Sequence, residues 1–183
     1  MSVAIPADEL SIDSKRNAKM VTRRRLTELM IQSGKAQNPK QVTIRKAQAN
    51  NEFGVTAGTD NNEWVPAAGT AGTDLSYVNG VSLGNNKYLG VYAFASISAA
   101  AVRQHVISVR FRIGTGGANV LADLDLGEGY AYENQVWYLD DPVIYQPTDV
   151  MTVTFEIAVS WSVGQLMFPI AAYLAEPAGQ SVM

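Results

Sequence analysis

The feature that most limits how this chain can fold is a period-two alternation of side chains in two segments. Over 103–113, His105, Ile107, Val109, Phe111 and Ile113 alternate with Gln104, Val106, Ser108, Arg110 and Arg112. Over 150–159, Met151, Val153, Phe155, Ile157 and Val159 fall on one side. A period of two marks a strand with one buried face. Weaker patterns predict further strands over 87–98, 120–126, 130–138, 143–145 and 165–174. The separators carry turn chemistry: Gly114-Thr115-Gly116-Gly117, Gly127-Glu128-Gly129, Asp140-Asp141-Pro142, Gln146-Pro147-Thr148-Asp149 and Ser162-Val163-Gly164. Roughly six to eight short strands with no helical pattern among them predict a mainly β body, an antiparallel β-sandwich or jelly roll.

Charge divides the chain in two. Residues 1–46 hold ten of the 14 Lys and Arg and four acids, a net of +6. Residues 47–183 hold four bases and 13 acids, a net of −9. The basic stretch reads as an N-terminal arm over 1–46 with one helix at about 14–33. Ser11, Asp13 or Ser14 can cap its start and Gly34 its end. Leu26, Leu29 and Met30 form an apolar stripe, with Thr22 one turn earlier. Lys15, Arg16, Lys19, Arg23, Arg24 and Arg25 occupy much of the rest. After the Asn38-Pro39 link, 41–46 reads as a short strand. Residues 47–86 are rich in Gly, Asn and Thr and echo Ala-Gly-Thr at 57–59, 68–70 and 71–73, so they read as an extended loop region. The body then spans 87–183.

Charged residues make up 17 % of the chain, below the ~25 % usual for soluble domains, while the apolar fraction is ordinary at 47 %. Interface cores are depleted in charge, so this balance points to assembly. No stretch approaches the ~18 apolar residues of a membrane span, and the first ten residues lack the pattern of a signal peptide.

Each candidate site also has a simpler role. The arm can dock on acidic protein surface or bind phosphates. Asp123, Asp125, Glu128, Glu133, Asp140, Asp141 and Asp149 offer the acidic counterpart. Residues 1–46 contain no aromatic residue on which a base could stack. Asp123 and Asp125 share a strand face and could hold calcium or act as an acid–base pair, but an exposed strand face explains them more simply. Asp140-Asp141-Pro142 reads as a turn. His105, on an apolar strand face, reads as a satisfied core or interface imidazole. One histidine and no cysteine remove most metal centres and nucleophile–base pairs, so no catalytic residue, metal or cofactor is assigned. Gly114 to Ala118 lacks the ending of a phosphate loop and reads as a hairpin. Trp137, Tyr130, Tyr132, Tyr138 and Tyr145 could form a sugar-stacking platform; covering core or subunit contacts is the simpler role.

The order of parts, basic arm (15–46), long loop (47–86) and alternating strands (103–113, 150–159), resembles virion structural proteins. These are the jelly-roll coat proteins with internal arms and the β-rich decoration or cement proteins of tailed-phage heads. The resemblance implies a non-enzymatic protein of the virus particle, made in the host cytoplasm. Such a protein binds copies of itself and other shell proteins. The assembly residues would be Lys15, Arg16, Lys19, Arg23, Arg24, Arg25, Leu26, Leu29 and Met30. Two alternatives remain open: a carbohydrate-binding β-sandwich, and a nucleic-acid-binding protein acting through the arm.

Overall fold

The alternating segments form strands at the heart of a two-sheet sandwich. The computed structural model describes residues 2–58, 63–98, 104–131 and 135–179. The strands are β1 (Ala4–Pro6), β2 (Val42–Lys46), β3 (Asp74–Ser82), β4 (Tyr88–Ala95), β5 (Ile97–Ser98), β6 (Val106–Ile113), β7 (Asn119–Asp125), β8 (Val136–Tyr145), β9 (Val150–Ile157), β10 (Leu166–Met167) and β11 (Ile170–Pro177). Two helices accompany them, α1 (Ile12–Gln32) and α2 (Ala49–Phe53).

One sheet has the order β1-β8-β4-β11-β2 and the other β3-β9-β6-β7, while β5 and β10 pair as a small ribbon. The pairings between these strands are antiparallel. Strands β2, β4, β8 and β11 thus lie in one sheet and β3, β6, β7 and β9 in the other. That interleaving is the jelly roll, two Greek keys wrapped into a sandwich.

The core fills the space between the sheets. Met151, Val153, Phe155 and Ile157 of β9 are buried as their alternation requires. Phe155 and Phe94 each pack on Phe168, with ring centres 4.4 and 5.6 Å apart, and Phe94 stacks on Trp137 at 5.6 Å. In β6 the pairing shifts between Val106 and Ser108, so Val106 enters the core and Ile107 is only half-buried.

The two sandwich ends differ. The registers place the connections after β2, β4, β7 and β9 at one end, where Lys46 faces Tyr173, Phe94 faces Ile170 and Asp74 faces Glu156. These are the long connections. The opposite end has short turns at 83–87, 114–118 and 146–149.

Several boundaries differ from expectation. The stretch 1–46 is not an appendage, because β1 and β2 form the two edges of the five-stranded sheet. β3 occupies the end of the stretch read as loop, its Asn79 and Gly80 tolerated at an edge with two bulges. Asp140-Asp141-Pro142 lies inside β8, not in a turn. Register with β4 is lost between Tyr138 and Val143, so the missing N–H of Pro142 leaves no ladder bond unmade. Residues 130, 131 and 135 lie outside β8, and residues 103 and 132–134 lie outside the described residues.

Helix α1 lies on the outer face of the five-stranded sheet. Ser11 caps it, its Oγ accepting the Ser14 N–H at 3.1 Å. Gly34 (φ 72°) turns the chain out, and Met30 O accepts the N–H groups of Lys35 and Ala36. Thr22, Leu26 and Met30 are fully buried against the outward side of β4 and β11, where Tyr88, Tyr92, Tyr173 and Ala175 lie. Gly90 permits the approach, since a Cβ there would sit 2.7 Å from Thr22 Cγ2.

Candidate assembly interface

The nine arm residues divide by depth. Leu26 and Met30 are buried and Leu29 half-buried on the chain's own sheet, so the apolar stripe is used within the molecule. Only the cations remain for an outside partner. Arg25 bridges to Asp141 of β8 at 2.6 Å, Arg24 to Glu28 at 2.8 Å and Arg16 to Asp13 at 3.8 Å. These are exposed pairs, worth about 0–1 kcal/mol each. Part of the charge complementarity between arm and body is therefore met inside one chain, by Arg25 and Asp141.

Lys15, Lys19 and Arg23 join none of the ion pairs found among the described residues. The Arg23 guanidinium lies 4.5 Å from the centre of the Tyr173 ring, which stacks on Tyr92 at 5.0 Å. Burial pushes the Tyr92 phenol well above its ordinary range. Beside this stack runs a groove of about 720 Å³ with Arg16, Lys19, Met20 and Arg23 along its helical wall and Tyr173 in its floor.

The acidic residues have three settings. Asp123, Asp74 and Glu156 converge on Arg110 at 3.3, 3.1 and 2.9 Å, on the outer face of the four-stranded sheet. With Arg112 two residues along the same side of β6, that face sets two guanidinium groups against three carboxylates. Asp125 accepts the Gly127 N–H at 2.8 Å, and Asp140 accepts the Val3 N–H at 2.7 Å, pinning β1. Asp149 closes the turn before β9 by accepting the Gln146 N–H. Glu133 and the Glu128 side chain lie outside the described residues.

A second charged cluster gave no sequence signal. Arg45 of β2 donates to Glu52 of α2 at 2.6 Å and to Glu176 of β11 at 3.3 Å, with Lys87 4.0 Å from the far Glu176 oxygen. Both carboxylates are buried. The hydrogen bond to Glu52 is the largest effect raising the Arg45 pKa. Two carboxylates sharing one guanidinium form a clamp that holds α2 over the sandwich edge. Glu52 stands in a stretch read as loop and Glu176 far away in sequence, so no spacing linked them.

The long-loop end carries an apolar cluster. Of its connections, the stretches 64–73, 96–102 and 158–169 contain no charged residue, while Glu52, Asp60, Glu63, Arg103, Glu128 and Glu133 lie elsewhere in the same connections. At this end Ile97 and Met167 face each other across the β5–β10 ribbon and are 52 % and 41 % exposed, with Val159 and Val163 also exposed. Beneath them His105 is buried. Its Nε2 lies 3.0 Å from Ser98 Oγ and its Nδ1 3.2 Å from Val159 O, and Trp161 packs on it edge to face. Trp161 Nε1 donates to Ala67 O at 2.8 Å, which fastens the loop after α2 to this end.

The aromatic platform is not formed by Trp137 and Tyr145, which are 1 % and 0 % exposed in the core. Tyr130 packs edge-on against Trp137, and Tyr132 lies outside the described residues. No protein-family model matches this chain, and none of the curated proteins matches it in sequence.

Proposed function

We propose that this chain is a non-enzymatic structural protein of a virus particle. It assembles with copies of itself and with other shell proteins, and the basic helix contributes an anchoring contact. The observation that carries the reading is the long-loop end of the jelly roll: uncharged segments from separate parts of the chain, tipped by Ile97, Val159, Val163 and Met167. Exposed apolar groups gathered at one end cost free energy in water and gain it when covered. A patch without charge can also meet its own image about a symmetry axis without repulsion. The jelly-roll strand order and the low overall charge agree with this.

The carbohydrate reading loses its main support with the burial of Trp137 and Tyr145. The nucleic-acid reading keeps Lys15 and Lys19 as unpaired cations, but Arg24 and Arg25 are already engaged by Glu28 and Asp141.

Sedimentation velocity across a wide protein concentration range tests the proposal. The wild type is expected to form a defined oligomer or shell-sized particle. Ile97→Lys combined with Met167→Lys should shift it to smaller species without changing its circular dichroism. A wild type that stays monomeric at every concentration, alone and with other shell proteins, would sink the reading.

A further inference from the structure

Helix α1 divides the outer face of its sheet unequally. One flank, with Ser14, Asn17 and Val21, faces β8. The other, with Arg16, Lys19 and Arg23, overhangs Tyr173 of β11, the strand next to the β2 edge. The opposite lateral side of the sandwich is formed by β1 and β7, which line one cleft together. That side carries Asp123 and Asp125 on β7, with Asp140 and Asp141 close by on β8. The molecule is therefore electrically polar across its width. Four strand spacings separate β1 from β2, roughly 20 Å, more than a Debye length at physiological salt. Within one copy Arg25 reaches this side, at Asp141, but among the described residues Arg16, Lys19 and Arg23 pair with none of Asp123, Asp125 and Asp140. Two copies placed side by side can bring these charges together.

We propose that the groove between α1 and β11 receives the acidic β7 edge of a second copy, so that copies join laterally, head to tail. This rests on the assembly reading and adds to it a named pair of surfaces. The contact is heterologous: every copy offers one groove and one edge. Rows of such contacts close into a ring or shell when each step is rotated. The edge suits the groove in three ways. β7 is the last strand of its sheet, so its outer backbone groups have no ladder partner. Asp125 is exposed along it beside Asp123, which is exposed as well though it also bridges to Arg110 at 3.3 Å, and Val120 projects from the same strand. Met20, 61 % exposed at the groove wall, gives that valine an apolar counterpart. A nucleic acid fits less well. One Tyr173 face is covered by Arg23 and the ring is stacked on Tyr92, so no ring is left for a base, and Asp13 stands among the cations.

Two charge-reversed proteins test the contact. Arg16→Glu with Lys19→Glu makes the groove acidic, and Asp123→Lys with Asp125→Lys makes the edge basic. Each alone now sets like charges against each other and should self-associate at least about tenfold more weakly by sedimentation. In an equimolar mixture every groove again meets an edge of opposite sign, and sedimentation should return to the wild-type pattern. Circular dichroism and melting of each variant check folding. Should loss of the Arg110 partner unfold the edge variant, Asp125→Lys alone takes its place in the same mixture. Folded variants that assemble like the wild type, while Ile97→Lys/Met167→Lys does not, overturn the lateral contact and leave the assembly reading standing. A mixture of folded variants that stays dissociated overturns it too. So does a wild type that assembles only on adding single-stranded RNA, because the groove would then serve phosphates. A wild type that is monomeric throughout removes both proposals.

Discussion

Tyr145 is fully buried, and its hydroxyl has no hydrogen-bond partner among the described residues. An unmade buried hydrogen bond costs about 1–3 kcal/mol, so Tyr145→Phe is expected to leave stability unchanged or raise it, as urea unfolding would show. The same burial has a consequence at high pH. Tyr77 and Tyr145 are pushed well above their ordinary value near 10, in both cases chiefly by desolvation. The folded state therefore holds these phenolic protons more tightly than the unfolded chain does. The stability they contribute is complete below pH 10 and is lost as pH rises beyond it. Each should remove up to about 1.4 kcal/mol per pH unit in that window. Thermal melts between pH 9 and 12 measure this; a melting temperature flat across that range would contradict the burial of both phenols. Residues of this kind were partly legible in the sequence. His105 is buried and hydrogen-bonded on both ring nitrogens, as expected of a satisfied core or interface imidazole, but it stands just before β6 and not on a strand face. Trp137 and Tyr145 could not be assigned to core or platform from type alone, because aromatics serve both and only the sheet register decides.

Among the elements, α1 shows most clearly what a pattern can and cannot tell. Its bounds were readable to within two residues from Ser11, Gly34 and the Leu26-Leu29-Met30 stripe. The stripe says that something covers this face, not whose surface does so. The missing signal was β4, whose residues Tyr88 to Ala95 are buried on both sides. A strand of an antiparallel sandwich that never alternates must have an element on its outer face. β8 was obscured by Asp-Asp-Pro, which marks a turn unless pairing is already interrupted there, and β3 by glycine and asparagine. Docking of α1 makes two substitutions informative. Leu26→Ala removes a fully buried side chain and should cost about 2–5 kcal/mol. Gly90→Ala forces a methyl group against Thr22 and should cost about 1–3 kcal/mol. If α1 loosens before the sandwich melts, trypsin should cut at Arg23-Arg24-Arg25 much faster in both variants while the β circular dichroism signal persists. Unchanged cleavage would mean that α1 is held by contacts other than these.

For the whole molecule, two surfaces of different physics answer to different conditions. The loop-end patch is apolar and uncharged; the lateral contact pairs Arg16, Lys19 and Arg23 with Asp123 and Asp125. Screening shortens from about 8 Å at physiological ionic strength to about 3 Å at 1 M salt, which weakens exposed charge pairs. Salt does not weaken apolar burial, and sulfate strengthens it. Raising the salt should therefore separate the contacts in order: lateral rows come apart first, leaving small clusters held at the loop ends. Ile97→Lys/Met167→Lys should reverse the order, keeping lateral rows at low salt and giving monomers at high salt. Light scattering during a salt titration of both proteins reads this directly. A wild type that dissociates in one step to monomers as salt rises would mean that the loop ends hold nothing on their own. An assembly insensitive to salt would mean that the charge polarity across the sandwich plays no part in joining copies.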